Sequence, residues 1–513
     1  MHMKSRTFRV LYTSDIHGRL FAAPGEPGLD EMGPDFSGDG NTLILDGGDL
    51  LQGGPAGAFL ARRGHLSDSA EISPAARVLN LRGYHAVVPG NHDFNYGIDY
   101  LARYLKGLNA LCLCANIRDK SGILPIRDSC VFTLENHLRI GVFGLCTDAL
   151  RGWERQETLE KLVIAPPLEA GRRVISHLRQ RCDVTVCVYH GGFETDPVTG
   201  SGGDDLGENI ACAISRELAP DLLLTGHQHL CIPGRTMGHS FTLQPGAFCR
   251  YYGEITGTVS HDGKVSVSSR LVPVAPPRSP ADPTGMGALL ARWMAEPVCT
   301  LPAPLPLGDR VEAALRGSQL ADLINRVQLS VTGADVSATC LSNTAVGLPQ
   351  TVLVGDVFRA YTSANTLCVL RCTGQVLRQA LEWTACFLEP DEHGFHIAPR
   401  FLSPKPRYFH YDFYAGIDYQ LDFTRPQGSR VLFLRRQGRD IDPEDAFSLC
   451  ITNYRRAGGD GYHMFRSCPL LFADETPMAE HLLSWLRENG GKTQGNEEKQ
   501  LQKFKSAVSS QYP

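Results

Sequence analysis

The stretch VVPGNHDFNYG at residues 87–97 decides how the first half of this chain is interpreted. A short apolar run ends there in a turn that carries an amide, an imidazole and a carboxylate. In open α/β sheets, ligands bind at the carboxyl ends of the strands, so this turn places polar side chains where chemistry usually occurs. One such turn is weak evidence, but four other apolar runs in the same half of the chain also end in groups that can bind a metal ion.

The first half of the chain alternates apolar runs with segments of helical periodicity. We predict strands before Asn91 and at residues 8–14, 41–45, 111–117, 139–145, 183–189 and 221–225. We predict helices at residues 75–81, 97–108, 168–180 and 209–218 in this half. In the second half we predict helices at residues 318–327 and 373–388. Residues 254–260 and 264–274 are expected to form the arms of a hairpin. Strands that alternate with helices indicate a layered α/β fold.

The chain of 513 residues is long for a single hydrophobic core, and its composition changes midway. Residues 276–308 are rich in proline, so we interpret them as a linker. The linker separates a first domain at residues 7–275 from a second α/β domain at residues 309–489. Residues 490–513 are polar and are expected to form a frayed tail.

Composition argues against several classes of partner. A hydrophobic content of 42%, a charged content of 20% and a net charge of -5 are ordinary, and they give no reason to expect a nucleic-acid polymer. No apolar run approaches the roughly 20 residues of a membrane span, and no signal-peptide core follows the first residues. The 16 cysteines lie mostly in apolar runs, as expected of reduced thiols. We therefore expect a cytoplasmic protein, or an extracytoplasmic one if a leader precedes this sequence.

Each of five strand ends carries side chains that can bind a metal ion. They are Asp15 with His17, Asp49, Asn91 with His92, His190, and His227 with His229. Imidazole nitrogen and carboxylate oxygen together suit Zn, Mn, Fe or Co rather than Ca, and the absence of thiolates argues against a structural zinc site. A carboxylate can also bridge two ions, which permits the spacing of about 3.5–4 Å that is used in two-metal hydrolysis.

A purely structural explanation competes with metal binding. A lone Asp-x-His is more often a turn than a ligand pair, but five such strand ends in succession are not explained by caps and turns. Other histidines, such as His85, His137 and His410, are interpreted as structural. The sequence therefore predicts a site for divalent metal ions in the first domain.

The first half resembles a calcineurin-type metallophosphoesterase, and the whole chain resembles the family of 5'-nucleotidases and 2',3'-cyclic-nucleotide 2'-phosphodiesterases. The matching blocks are SDIHG at 14–18, GGDLLQG at 47–53, GNHDF at 90–94, YHGG at 189–192 and GHQH at 226–229. The resemblance implies a four-layer αββα sandwich, in which helices cover both outer faces of two sheets. It implies two metal ions, one held by Asp15, His17, Asp49 and His229 and the other by Asp49, Asn91, His190 and His227. It also makes His92 a catalytic residue that contacts the scissile phosphate, and it makes Asn95 the partner of His92.

The second half resembles the C-terminal nucleotide-binding domain of the same family. The matching blocks are AYTSANTL at 360–367, AGIDYQLD at 415–422 and TNYRRAGGDGY at 452–462. The resemblance implies that Tyr361 and Tyr454 stack on the two faces of a nucleobase and that Asp460 lies near the ribose hydroxyls. Stacking on tyrosine tolerates any base and is worth roughly 1–3 kcal/mol per base. The glycines around Asp460 permit a close approach of the backbone to a ligand.

Two departures separate this chain from many 5'-nucleotidases. Those enzymes carry an aspartate three residues after the catalytic histidine, whereas this chain has Asn95, which resembles the 2',3'-cyclic-nucleotide phosphodiesterase/3'-nucleotidase branch. Residues 338–345 stand in place of a glycine-rich segment whose arginine would grip a phosphate or carboxylate. An amide holds an imidazolium less strongly than a carboxylate does, and this matters least when a strained 2',3'-cyclic ring opens.

We therefore expect a two-domain, metal-dependent phosphoesterase that hydrolyses nucleotides and prefers 2',3'-cyclic nucleotides over 5'-monophosphates. A 5'-nucleotidase and a UDP-sugar hydrolase are the alternatives within the enzyme class. A protein that binds nucleotides beside an inactive metal site is an alternative from another class, and it is disfavoured because every expected ligand is present. Metal content and turnover of an aryl phosphate ester distinguish an enzyme from a binding protein.

Overall fold

A computed structural model describes residues 5–66, 72–197, 200, 207–403 and 406–490. The described residues form two units, one made of those up to residue 291 together with Ser403, and the other of residues 292–402 and 406–490. The predicted polar tail lies outside the described residues, except for Gly490 at the end of the last helix. Among the described residues, no helix is both long enough and apolar enough to cross a membrane.

The elements of the first unit follow the alternation that the sequence predicts. Its strands are β1 (Arg6–Thr13), β2 (Thr42–Asp46), β3 (Ala86–Val87), β4 (Leu111–Leu113), β5 (Ile117–Asp119), β6 (Ile126–Arg127), β7 (Ser129–Thr133), β8 (Arg139–Cys146), β9 (Leu162–Ile164), β10 (Val184–His190), β11 (Leu222–Thr225), β12 (Cys231–Met237), β13 (Ser240–Pro245), β14 (Tyr251–Val259) and β15 (Val265–Pro273). Its helices are α1 (Gly54–Leu66), α2 (Pro74–Leu81), α3 (Ile98–Lys106), α4 (Leu150–Trp153), α5 (Gln156–Glu160), α6 (Pro167–Leu178) and α7 (Ala211–Ala213).

Two sheets organise these strands. The first has the order β15-β14-β1-β2-β3-β4-β6 and the second the order β12-β13-β11-β10-β8-β7. The strands β1, β2, β3, β4 and β6 pair in parallel, as do β8, β10, β11 and β13. Because parallel strands end at the same edge of a sheet, the segments that follow β1, β2 and β3 meet, and so do those that follow β8, β10 and β11.

The main core of the first unit lies between the two sheets. Side chains from both sheets are buried there, including Val10, Leu45, Val186 and Leu224. Side chains alternate between the two faces of a strand, so along β8 Val142 points into this core while its neighbour packs in a second core with α6. Helices α2 and α3 each bury an apolar face as well. These layers confirm the predicted αββα sandwich.

Two predicted elements differ from the observed ones. The strand predicted at residues 111–117 is divided into β4 and β5, because Asn116 bonds to the backbone of Cys146 instead of continuing a ladder. Its Nδ2 donates to the carbonyl of Cys146 at 2.8 Å, and its Oδ1 accepts from the N–H of Cys146 at 2.9 Å. The helix predicted at residues 209–218 begins as α7 and continues as a π-helical turn over Ile214–Leu218. The hairpin of β14 and β15 is confirmed.

The second unit is built on a mixed five-stranded sheet. Its strands are β16 (Pro297–Thr300), β17 (Val336–Cys340), β18 (Thr351–Leu353), β19 (Thr366–Thr373), β20 (Leu388–Asp391), β21 (Gly394–Ile397), β22 (Asp412–Ala415), β23 (Asp418–Leu421), β24 (Val431–Arg436), β25 (Arg439–Asp440), β26 (Ala446–Thr452) and β27 (Leu470–Pro477). A helix at Met286–Met294 spans the division between the units and is labelled α8; the helices that follow it are α9 (Arg310–Arg316), α10 (Gln319–Thr332), α11 (Val354–Ala360), α12 (Gly374–Ala385), α13 (Asn453–Arg456) and α14 (Met478–Asn489). The main sheet has the order β22-β17-β26-β19-β27, and buried residues of α12 contribute to its core.

The segment predicted as a linker, residues 276–308, contains regular structure. It includes α8 and also β16, which pairs antiparallel with β18. Pro297 begins β16, and the other prolines of this segment lie in the irregular stretches around these elements.

Candidate metal centre

The structure brings the expected metal ligands together at the carboxyl ends of the central strands of the first unit. Asp15 and His17 follow β1, Asp49 follows β2, Asn91 follows β3, His190 ends β10, and His227 and His229 follow β11. They include two groups whose ligand atoms lie within 4.8 Å of one another: Asp15, His17 and His229 form the first group, and Asp49, His190 and His227 form the second.

The backbone at most of these positions lies in the left-handed region, which residues other than glycine rarely adopt. Five of the seven expected ligands have positive φ values: Asp15 (56°), His17 (47°), Asp49 (54°), His227 (68°) and His229 (59°). Residues held in this region usually cost on the order of 1–3 kcal/mol each and concentrate at functional sites. The strained turns aim successive side chains toward the same place, which an extended continuation of the strands would not do.

Backbone carbonyls set the orientation of two of the imidazoles. Nδ1 of His17 lies 3.0 Å from the carbonyl oxygen of Gln52, and Nδ1 of His190 lies 2.6 Å from that of Gly47. Because a carbonyl oxygen only accepts, each Nδ1 carries the hydrogen, and in the neutral ring Nε2 presents a lone pair. This arrangement is the one that metal-binding histidines use.

One carboxylate oxygen faces both groups of ligands. Oδ2 of Asp49 lies 3.2 Å from Nε2 of His190 and 3.8 Å from Nε2 of His17. In the first group, Nε2 of His229 lies 3.0 Å from Nε2 of His17 and 3.5 Å from Oδ1 of Asp15. Asp49 is therefore the residue placed to contact ions in both groups.

Asn91 and a neighbouring glycine complete the second group. Oδ1 of Asn91 lies 3.2 Å from Nε2 of His190. A Cβ atom at Gly90 would lie 2.2 Å from Oδ1 of Asp49 and 2.7 Å from Cε1 of His190. Only glycine therefore lets this turn approach Asp49 and His190 so closely.

Burial and charge act in opposite directions on these groups. Burial would raise the pKa of Asp49, but the imidazoles of His190 and His92 outweigh it and hold that pKa well below its usual range. Burial lowers the pKa of His17. Burial also acts to lower the pKa of His190, but the Asp49 carboxylate outweighs it and raises this pKa to about 10. A metal ion that bound Nε2 of His190 would therefore have to displace a proton.

His92 lies next to the metal-ligand groups without belonging to either of them. Its ring centroid is 5.5 Å from that of His17, and its Nδ1 is 2.8 Å from Oδ1 of Asn95. Its backbone N–H donates to Oδ1 of Asp49 at 2.8 Å. The structure thus places the predicted partner Asn95 beside the predicted catalytic histidine.

Sequence reasoning gave Asp93 no role, although it lies in the quoted turn. Its carboxylate accepts from the N–H groups of Asp49, Leu50 and Leu51 at 3.0, 2.9 and 2.9 Å, and from that of Gly90 at 2.8 Å. Burial and the Asp49 charge raise the pKa of Asp93 to about 6, so it is ionised at neutral pH. Asp93 therefore ties the turn after β2 to the turn after β3.

Two aromatic residues beside the ligands were also missed. The Trp153 ring stacks on His227, with centroids 5.5 Å apart and planes inclined by 15°. The Phe248 ring centroid lies 5.5 Å from that of His17 and 5.4 Å from that of His229, and Phe248 itself has a positive φ. No local sequence pattern points to either contact, because both join segments that are distant along the chain.

The predicted nucleotide contacts of the second unit are placed less uniformly. Tyr361 is only 7% exposed, so stacking on its ring would require it to move, and its role stays a prediction. Tyr454 is half-buried, and the aromatic ring near it is that of Phe409, with centroids 6.3 Å apart and planes inclined by 76°. A Cβ atom at Gly459 would lie 2.5 Å from the Tyr454 ring, so that glycine makes room for the tyrosine.

Asp460 is buried and already has partners within the unit. One carboxylate oxygen accepts from Arg407 at 2.7 Å, and the other lies 2.6 Å from Nδ1 of His410. Although burial would raise it, these partners lower the pKa of Asp460 to about 2. His410, interpreted from the sequence as structural, is fully buried and pairs with Asp460. The predicted ribose contact by Asp460 stays a prediction.

An arginine from elsewhere in the chain reaches the segment at residues 338–345. The guanidinium of Arg310, which begins α9, donates to the carbonyl of Ser342 at 2.7 Å and to that of Leu341 at 3.4 Å. It also lies over the Tyr408 ring, 5.2 Å from the centroid. The absence of an arginine within this segment is thus accompanied by an arginine that binds its backbone from outside.

Comparison with known families accounts for both units. Residues 8–231 match the family profile of calcineurin-like phosphoesterases, and residues 300–467 match that of the 5'-nucleotidase C-terminal domain. The chain joins a calcineurin-like phosphoesterase domain to a 5'-nucleotidase C-terminal domain. The resemblance that the sequence motifs indicate is thereby confirmed.

Several relatives share both domains. A Staphylococcus aureus protein described as a 5'-nucleotidase, solved in complex with alpha-ketoglutarate, is 28% identical, and the match covers 94% of this chain and 97% of that one with a TM-score of 0.85. The 2',3'-cyclic-nucleotide 2'-phosphodiesterase/3'-nucleotidase of Salmonella typhimurium is 24% identical over 489 residues, which cover 82% of this chain and 74% of the relative. Protein UshA of Escherichia coli is 22% identical over 517 residues, covering 90% of this chain and 87% of the relative.

The phosphoesterase domain implies divalent metal ions, and the residues present fit them. The donors are imidazole nitrogens, carboxylates and an amide oxygen, all buried except the half-buried His229, and such donors suit borderline divalent cations. Two of the imidazoles have their Nδ1 atoms fixed by carbonyls, so their Nε2 atoms are directed to the ligand groups. The chain is accordingly a metal-dependent phosphoester hydrolase.

Proposed function

We propose that this chain hydrolyses nucleotides at a site with two divalent metal ions and that 2',3'-cyclic nucleotides and 3'-nucleotides are its preferred substrates. The observation that carries the two-ion proposal is the position of Asp49, whose Oδ2 lies 3.2 Å from one group's histidine and 3.8 Å from the other's. One group would consist of Asp15, His17, Asp49 and His229, and the other of Asp49, Asn91, His190 and His227. Ions of Zn, Mn, Fe or Co bound there would supply a water-derived nucleophile and offset the negative charge on the phosphoryl oxygens.

His92 is proposed to act on the substrate rather than on the metal ions. Its Nδ1 is directed to Asn95 and its backbone is held by Asp49, which leaves Nε2 as the ring nitrogen available to a phosphate oxygen. From there it would donate a hydrogen bond to the phosphate or a proton to the leaving oxygen. General acid catalysis of this kind contributes roughly 10²–10⁴-fold to a rate.

The C-terminal domain is proposed to recognise the nucleoside. Tyr454 retains the proposed stacking role, supported by its partial exposure and by the nearby ring of Phe409. The name of the Salmonella relative, together with Asn95 in place of an aspartate, supports a preference for 2',3'-cyclic substrates. A 5'-nucleotidase is the second candidate, supported by the Staphylococcus aureus protein with its TM-score of 0.85.

The test is a panel of 2',3'-cyclic nucleotides, 3'- and 5'-mononucleotides and UDP-sugars, ranked by kcat/KM at matched metal loading. We expect the cyclic nucleotides to rank first. A higher kcat/KM for 5'-monophosphates would establish the second candidate instead. Turnover of an aryl phosphate with no nucleotide turnover would contradict the nucleotide proposal while leaving the phosphoesterase assignment intact.

We also infer a cytoplasmic location. All 16 cysteines are free thiols in the structure, and most of them are buried. A large set of reduced thiols is typical of a reducing compartment. Fractionation of the native host cell tests this inference, and recovery from an extracytoplasmic fraction would contradict it.

A further inference from the structure

A chain of side-chain hydrogen bonds extends behind His92. Nδ1 of His92 is 2.8 Å from Oδ1 of Asn95, and Nδ2 of Asn95 donates to Oε2 of Glu154 at 2.8 Å. Glu154, which follows α4, is 8% exposed. Its Oε1 accepts the N–H of Arg155 at 2.8 Å and lies 3.6 Å from the Nε atom of the same arginine. Arg155 also donates from Nη2 to the Asn95 carbonyl at 3.1 Å.

The partners of Glu154 fix the direction of every bond in this chain. A carboxylate can only accept, so Asn95 must turn its NH₂ group toward Glu154. The amide oxygen of Asn95 then faces His92, and Nδ1 of His92 must carry a hydrogen to donate to it. An amide with no such anchor could rotate by half a turn and present its NH₂ group to the imidazole instead.

We propose that Glu154 is a positioning residue for His92 and acts through Asn95. The family resemblance makes Asn95 a weaker partner of His92 that stands in place of a carboxylate. The structure nevertheless supplies a carboxylate, that of Glu154, which is hydrogen-bonded to Asn95 rather than to the imidazole itself. The buried charge of Glu154 orients and polarises the amide, so that its oxygen is a better acceptor for the His92 N–H. This proposal rests on the proposed function, because it requires His92 to act on the phosphate ester.

The hydrogen-bonded chain from His92 through Asn95 to Glu154, here called the relay, predicts that an aspartate at position 95 impairs catalysis. In the Asn95→Asp variant, two carboxylates would face each other where the amide now donates to Glu154 at 2.8 Å. One of them would have to take up a proton or move away, and either response displaces the group that holds His92. In the double variant Asn95→Asp/Glu154→Gln, the glutamine NH₂ group can donate to the new aspartate. That pair reverses the two roles and preserves the bond to His92.

The experiment measures kcat and KM for an aryl phosphate, and for the best nucleotide found, with the two single variants and the double variant. Glu157→Gln is the matched control, because Glu157 is an exposed residue on α5 that pairs with Lys161. We expect each single variant to lose about tenfold or more in kcat with little change in KM, since an interaction made in the transition state is weakened. We expect the double variant to recover to within about threefold of the wild type, as strongly coupled residues do. The control is expected to match the wild type.

A second readout does not depend on turnover. In protein labelled with ¹⁵N-histidine, the His92 resonances are assigned by their loss in His92→Asn, and the proposal requires a hydrogen on Nδ1 in the wild type and in the double variant. Three results would each overturn the relay. The first is an unprotonated Nδ1 of His92, and the second is a loss of kcat in the double variant that equals the product of the two single losses. The third is a Glu154→Gln variant with the same activity as Glu157→Gln. Failure of nucleotide turnover alone would contradict the proposed function but not the relay, which the aryl phosphate and the spectra test separately.

Discussion

The backbone N–H of His92 donates to Oδ1 of Asp49 at 2.8 Å, while Oδ2 of the same carboxylate lies 3.2 Å from Nε2 of His190. One carboxylate thus contacts both the residue proposed to act on the substrate and a residue proposed to hold metal. The two roles can be separated because His92 itself belongs to neither metal-ligand group. Changes at these two positions should therefore have different consequences for bound metal.

Asp49→Asn should lose activity and at least one metal ion, because a bridging carboxylate serves both ions. His92→Asn should keep its metal and lose about 10²-fold or more in kcat, because this imidazole acts on the substrate. Elemental analysis of both purified variants, together with turnover of an aryl phosphate, checks this. Loss of metal from His92→Asn as complete as that from Asp49→Asn would show that the roles are wrongly assigned.

Asp93→Asn should destabilise the phosphoesterase domain and reduce its activity. The carboxylate accepts four backbone N–H groups, and an amide cannot accept all of them because one of its two termini is a donor. Each buried donor left without a partner costs about 1–3 kcal/mol. Thermal melting and metal content are compared with Asp99→Asn, an exposed position on α3 that makes the same chemical change. Equal melting temperatures for the two variants would contradict the anchoring role.

Tyr454→Ala should lower kcat/KM for nucleotides by roughly tenfold or more, which corresponds to about 1–3 kcal/mol of lost stacking. Small aryl phosphates have no base to stack and should be affected far less. Phe409→Ala tests whether the neighbouring ring contributes, and Tyr361→Ala tests the buried position that the sequence predicts. If Tyr361→Ala affects nucleotides selectively and Tyr454→Ala does not, then Tyr361, although 7% exposed, moves to meet the base.

The strand-end motifs predicted which side chains cluster at this edge, because each motif is local. An expected ligand such as Asp49 needs only an apolar strand before it and a turn at it, and both are visible in the sequence. The layered fold could also be predicted from local sequence, because β1, β2, β10 and β11 coincide with apolar runs.

The relationships that the sequence did not reveal join segments that are distant along the chain. Glu154 meets Asn95 across 59 residues, and Trp153, at the end of α4, stacks on His227. Neither contact follows from periodicity or from a motif, because each depends on how the sheets place two distant segments. The burial of Tyr361 could not be predicted for the same reason, because the sequence around a tyrosine does not show whether distant segments cover its ring.

Asp460→Asn should destabilise the second unit at neutral pH by an amount on the order of 2 kcal/mol that disappears in acid. The folded pKa of about 2 lies below the unfolded value of about 3.9, so the ionised carboxylate contributes stability above pH 4 that is lost as the pH falls toward 2. Urea unfolding at pH 7, 5 and 3, followed by tryptophan fluorescence, measures the difference. Trp383 is a suitable reporter because its Nε1 donates to the Asp460 carbonyl at 2.9 Å. Asp418→Asn, at an exposed strand position, is the control, and a penalty that is unchanged between pH 7 and pH 3 would contradict the prediction.

Metal binding at the second group should release a proton from His190. The Asp49 carboxylate raises the pKa of His190 to about 10, so its Nε2 is protonated at pH 7 and must lose that proton before it can donate a lone pair. Apparent metal affinity should therefore rise as the pH rises from 7 toward 9, by up to about tenfold per pH unit from this group alone. Calorimetry of metal binding in two buffers with different ionisation enthalpies counts the protons released, and His190→Asn should reduce that count by about one. A heat of binding that is the same in both buffers would mean that His190 is already neutral, and the coupling between Asp49 and His190 would then be weaker than their 3.2 Å separation implies.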